Sequence, residues 1–225
     1  MKRRLLAALG LSPLVSGCTG SLSALDPAGP AADAVATLWW VMFWASIGLF
    51  VLVSGLLAAV WWRPGFGKSL SPTRWIVLGG LVMPGVLLTL LVGYALFTGE
   101  RLLPVALADQ PTRVAAHGVR WQWQFTYPDA PDSTATPVLH IPAGEPVDVL
   151  VTSGDVVHSF WVPRLAGKID AIPGHQNIIR IQADRPGTYH GVCAEFCGGG
   201  HTDMRFIVQA HAPEDYRAVL SGGGQ

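Results

Sequence analysis

The 225-residue chain is poor in charge: 15 Lys and Arg balance 15 Asp and Glu, together 13% of the residues, so the formal net charge is zero. With no basic excess to neutralise phosphates, nucleic acid is excluded as a partner class. Cysteine is scarce as well, three in all, and no Cys-x-x-Cys-His occurs, which excludes covalent haem attachment to this chain. No internal repeat divides it into modules. Hydrophobicity takes the place of charge: half of the residues are apolar, and the stretches 34–62 and 75–98 hold no charged side chain. Each exceeds the ~20 residues that a membrane helix needs, so we expect a transmembrane hairpin over 34–98 and one globular domain after it.

The hairpin also lacks chemistry of its own. Neither span carries a His, a Cys or a carboxylate able to hold haem or relay protons at mid-membrane depth, so anchoring and helix packing are the expected roles. Trp39, Trp40, Trp61, Trp62 and Trp75 cluster at the span ends, where amphipathic rings favour the headgroup layer. Pro84 is expected to kink the second span. The connector 63–74 has Arg63, Lys68 and Arg74 and no acid, which places it in the cytoplasm and both flanks outside.

Ahead of the spans, Met1-Lys2-Arg3-Arg4 and the short apolar run 5–15 have the form of a secretory signal. The run ends Val15-Ser16-Gly17-Cys18, which looks like a bacterial lipobox and makes Cys18 a candidate lipid-modified first residue. An ordinary signal peptide cut nearby is the alternative. The expected organisation is a lipoprotein signal peptide over 1–17, a periplasmic linker over 18–33, the hairpin over 34–98 and a periplasmic domain over 99–225.

After residue 101 the texture becomes short β-type runs separated by Pro, Gly and Asp. Strands are expected at 113–127, 138–141, 147–152, 156–162, 178–183, 188–192 and 205–210, a β-sandwich pattern. Pro213-Glu214-Asp215-Tyr216 opens a short terminal helix that the 222–224 glycine run stops. In 121–127 the aromatics Trp121, Trp123, Phe125 and Tyr127 alternate, which reads as one face of a strand.

Chemistry is concentrated in Cys193-Ala194-Glu195-Phe196-Cys197-Gly198-Gly199-Gly200-His201-Thr202-Asp203-Met204. Two thiols, an imidazole and a thioether within a dozen residues suit copper rather than calcium or magnesium. His158, in the apolar run 156–161, is the upstream partner that a fold could bring to them. Two imidazoles, two thiolates and a thioether are one ligand too many for a mononuclear blue copper site. Two cysteines bridging two metals would use the set fully, with one His on each copper and Met204 on one of them. The spacing alone leaves a Cys193–Cys197 disulfide open, and Met204 has a competing role in the core of the following strand. His117, His140, His175, His190 and His211 read as surface or packing residues.

With these residues the chain resembles subunit II of the haem-copper cytochrome c oxidases. The resemblance rests on His158 and on C-x-E-x-C-G-x-x-H-x-x-M from Cys193 to Met204. The segments 121–127, 155–158, 168–174 and 185–187 look like family segments too, in family order. It implies a cupredoxin-like Greek-key sandwich or barrel holding a binuclear CuA centre on His158, Cys193, Glu195, Cys197, His201 and Met204, with Glu195 contributing its main-chain carbonyl. It also implies a magnesium ion reached by the Glu195 side chain at the boundary with subunit I, although a solvated loop carboxylate is the plain alternative. Trp121 would be the exposed ring through which electrons from cytochrome c enter, with Asp129, Asp132, Asp155 and Asp203 as candidates for a docking patch. Subunit I, bearing haem and CuB, and other oxidase subunits would be partners in a bacterial inner membrane, where oxygen is reduced to water and protons are translocated. A CuA-bearing subunit of a nitric oxide reductase and a copper-free structural subunit of quinol-oxidase type are the alternatives. One departure stands out: residues 71–75 lack the Glu that family members often carry before the second helix.

Overall fold

The computed structural model describes residues 16–100, 102, 111–128 and 136–220. The signal sequence up to residue 15, Asp129, Asp132 and the 222–224 glycine run lie outside the described residues. The chain divides into two units, Thr37–Leu102 and a second formed by Met1–Ala36 with Leu103–Gln225.

Two helices, α1 (Pro30–Trp62) and α2 (Pro72–Glu100), are long and apolar enough to cross a membrane. Pro72 sits in the first turn of α2, and the Ser71 hydroxyl accepts the Arg74 N–H at 3.3 Å, so a short polar side chain caps an otherwise apolar helix. Proline removes an N–H and its ring crowds the carbonyl one turn back. The expected disturbance at Pro84 appears immediately ahead of it, where Ile76–Val82 widens into π-helical bonding and the Met83 N–H reaches Leu78 O.

Helix α1 starts four residues before the charge-free run. The stretch leading into it, expected as a linker, is part of the second unit and hydrogen-bonded within it. The Ala28 N–H donates to Arg164 O (2.7 Å), the Asp184 N–H to Ala28 O (2.9 Å) and the Ala32 N–H to Leu165 O (3.3 Å). Gly29 allows this approach, since a Cβ there would lie 2.0 Å from Gln182 O.

The second unit is a β-sandwich. Its strands are β1 (Thr112–Val119), β2 (Gln122–Thr126), β3 (Val138–Pro142), β4 (Val147–Ser153), β5 (His158–Trp161), β6 (Lys168–Ala171), β7 (Asn177–Ile181), β8 (Gly187–Cys193) and β9 (Arg205–His211), followed by α3 (Pro213–Leu220). One sheet runs β2-β1-β4-β7 and the other β3-β9-β8-β5-β6. The β1–β4 and β3–β9 pairs are parallel and the rest antiparallel, so neighbours distant in sequence close both sheets. This is the all-β sandwich expected after the hairpin. Two details differ from the sequence-based strands. The run 113–127 is a hairpin turning at Arg120 and Trp121, with Val119 opposite Gln122, and β6 is an additional strand paired with β5.

Alternation fills the core between the sheets. Trp123, Phe125 and Tyr127 point inward and are buried, whereas Trp121, in the turn, is 46% exposed and leaves that face. Phe160 stacks on Phe206 at 4.9 Å, with Trp123 edge-on to Phe160 at 5.7 Å. Gly191 makes room for that ring: a Cβ there would come within 2.1 Å of Phe206 Cζ.

Candidate metal centre

Strand pairing brings the sequence-distant donors together. In β5–β8 the Cα of Phe160 faces Cys193, so His158 at the start of β5 lies beside the end of β8. The Cys193 N–H bonds to Met204 O at 2.9 Å, which ties the start of β9 to the same place. The intervening loop folds back through a 3₁₀ turn, His201–Asp203, closed by His201 N–H to Gly198 O (3.1 Å) and Asp203 N–H to Gly200 O (3.1 Å). Gly198 has φ +118°, a conformation that a side chain would strain.

The donors converge, and four of them are buried. His158 and Met204 are almost wholly buried, as are Cys193 and Cys197. His158 Nδ1 lies 3.9 Å from Cys193 Sγ, and His201 Nδ1 lies 3.6 Å from Cys197 Sγ. The two sulfurs are 3.9 Å apart, Met204 Sδ is 3.8 Å from Cys197 Sγ, and the Cys193 thiol donates to the Glu195 carbonyl at 3.3 Å. A disulfide needs about 2.05 Å between sulfurs. Both thiols are free, so the disulfide alternative does not describe this structure. Burial, followed by the neighbouring Cys193 thiol, pushes the Cys197 thiol up to about 11. Binding a cation here means displacing thiol protons, and a soft divalent or monovalent metal can do so.

The six sequence-predicted ligands therefore meet at one place: two imidazole nitrogens, two thiols, a thioether and a carbonyl oxygen. His158, Cys193 and Cys197 place one donor atom each within 4.8 Å of one another. His201 and Met204 flank the Cys197 sulfur. This donor set fits copper in both number and softness. The Glu195 side chain turns away toward Lys168, with Nζ 3.7 Å from its carboxylate and 3.3 Å from Asp170 Oδ1.

Trp121 donates its indole N–H to Cys197 O at 3.3 Å. Its ring lies over Gly200, where a Cβ would come 2.5 Å from indole Cδ2. Among the remaining histidines, His117 Nδ1 bonds to Thr152 Oγ1 (3.0 Å) and His175 Nε2 to Asn177 Oδ1 (3.1 Å), while His140 and His211 bond to each other at 2.8 Å. Of the acids named for docking, Asp203 is exposed, but the Asp155 carboxylate is engaged by His158 and Arg120. The partners behind His158 were missed by sequence reasoning, and the D-x-x-H spacing of Asp155 and His158 was the available signal.

The sequence profile of cytochrome c oxidase subunit II, periplasmic domain, matches residues 134–211. Over 226 residues the chain is 33% identical to cytochrome c oxidase subunit 2 of Alkalihalophilus pseudofirmus, covering 94% of this chain and 66% of that protein. It is 29% identical to quinol oxidase subunit 2 of Bacillus cereus over 221 residues, covering 92% of this chain and 75% of that one. The crystal structure of the periplasmic domain of cytochrome oxidase subunit II from Bradyrhizobium japonicum is 26% identical, with a TM-score of 0.47, covering 52% of this chain and 96% of that one. The chain spans between 29% and 66% of the length of three cytochrome c oxidase subunits that it matches.

Proposed function

The chain belongs to the subunit II family of cytochrome c oxidases, and on that premise we propose that it is the electron-accepting subunit of a terminal respiratory oxidase. It takes single electrons from cytochrome c at a binuclear copper centre and hands them to haem in subunit I, where oxygen is reduced to water in a proton-translocating complex. The observation that carries this reading is the pair of free thiols 3.9 Å apart, with His158 Nδ1 3.9 Å from one and His201 Nδ1 3.6 Å from the other.

A copper pair held there would supply one-electron transfer with little change in bonding. The residues of the chain prepare that chemistry. Cys193 and Cys197 would hold the copper through their sulfurs, His158 and His201 through one nitrogen each, Met204 through a weak thioether and Glu195 through its main-chain oxygen. The sandwich holds all of them on strand ends and one short loop, which keeps reorganisation small. Trp121 offers an exposed ring already bonded to the Cys197 carbonyl, which suits it to receive the electron. A magnesium ion on the Glu195 carboxylate would need further oxygens from another subunit.

The two apolar helices fit an anchor in a bacterial inner membrane, with the connector 63–74 inside and the copper domain outside. A lipid on Cys18 would add to that anchor.

A copper-free structural subunit of quinol-oxidase type is the second reading, favoured by the likeness to the Bacillus cereus protein. Purification of the intact complex separates the two. We expect oxidation of reduced cytochrome c with two coppers on this chain; quinol oxidation by a complex with none on it would favour the second reading.

A further inference from the structure

Asp155 stands three residues before His158, and all four of its acceptor positions are filled. Oδ1 accepts from His158 Nε2 (2.8 Å) and the Val156 N–H (2.7 Å). Oδ2 accepts from the Arg120 main-chain N–H (2.9 Å) and from the Arg120 guanidinium Nε (3.0 Å). Three N–H groups, two of Arg120 and one of Val156, donate to this carboxyl and fix it as an acceptor. An ionised carboxylate can only accept, so His158 Nε2 carries the ring hydrogen and the lone pair is left on Nδ1. That nitrogen is the one facing Cys193. The His158 side chain is fully buried, leaving no solvent to play the same part.

We propose that Arg120 is a positioning residue for the metal centre. Through Asp155 it fixes the nitrogen that His158 presents to the sulfurs, and its charge limits how strongly that ring donates electrons. The guanidinium is half-exposed, so burial does not account for its place on Asp155. The next residue, Trp121, reaches the opposite side of the site through the Cys197 carbonyl. One two-residue turn thus braces both halves of the centre. An imidazole that donates to a carboxylate is a stronger ligand, and a cation on that carboxylate moderates the effect. Removal of the guanidinium makes His158 the better donor and favours the oxidised metal.

The inference rests on the copper reading of the site, and two measurements keep the two apart. In the intact oxidase, Arg120→Gln retains the main-chain bond to Asp155 and loses the charge. The midpoint potential of the copper centre is expected to fall with copper content unchanged, and Arg120→Lys to restore most of it. An unchanged potential in Arg120→Gln, or no restoration by Lys, overturns the proposal. In the copper-free full-length chain, exchange of the His158 Nε2 hydrogen, followed by ¹⁵N NMR, is expected to be several-fold faster in Arg120→Gln than in the parent. Equal rates overturn the positioning role even if the parent complex holds no copper, a result that would defeat the functional reading separately.

Discussion

The β-sandwich contains two pairs of histidines that meet across long sequence gaps, and they differ in what they face. His140 and His211 turn toward each other, Nδ1 to Nε2 at 2.8 Å with rings 5.1 Å apart, and satisfy one another. His158 and His201 do not bond to each other; each turns Nδ1 to a different sulfur, at 3.9 Å and 3.6 Å. The first pair is a hydrogen bond between strands. The second supplies two of the six donors of the proposed metal centre. Convergence of imidazoles does not define a metal site; a lone pair kept free by an outer partner and aimed at a shared soft donor does.

The largest expected break in this contrast is Cys197→Ser. Removal of one shared sulfur leaves His201 with a hard hydroxyl, and the two-copper signal should vanish completely while the complex still assembles, as read by copper analysis and subunit content. Asp155→Asn comes next. An amide can donate as well as accept, so it no longer dictates the His158 tautomer, and copper retention against a chelator should weaken by about 10–100-fold.

A third test strikes both pairs at once, because β8 and β9 flank the loop that carries His201 and β9 ends on His211. Gly191→Ala places a Cβ against the Phe206 ring and should cost about 1–3 kcal/mol by overpacking, seen as a lower thermal midpoint of the full-length chain.

The smallest effect concerns pH. Burial and then the neighbouring His211 lower His140 from its ordinary 6.5, and burial lowers His211 against the upward pull of Asp215. The unfolded chain therefore takes up protons near 6.5 that the folded pair resists. Stability is whole above that value and declines as pH falls through the window below it. His211→Asn should make the acid-side decline of the thermal midpoint shallower. An unchanged slope would remove this pair from the account.

Much of this was legible in the sequence, for identifiable reasons. Residues 193–204 concentrate soft donors at short spacing, so the loop declares its chemistry before any fold is known. The two helices announce themselves by the loss of charge over more residues than a bilayer needs. The hairpin within 113–127 was hidden because alternation runs unbroken through a two-residue turn that has neither Gly nor Asn. Trp121 accordingly lies in the turn and not on the buried face with Trp123 and Phe125. Strand β6 was hidden because Lys168-Ile169-Asp170-Ala171 has little β character of its own and becomes a strand by pairing with β5. Arg120 and Asp155, 35 residues apart, meet only once the sandwich is folded.

The most direct test is the electron paramagnetic resonance spectrum of the oxidised full-length subunit in its complex. The account predicts one unpaired electron shared equally by two copper nuclei coordinated by Cys193 and Cys197. A signal from a single copper nucleus, or no copper signal with Cys193 and Cys197 oxidised to a disulfide, would contradict it.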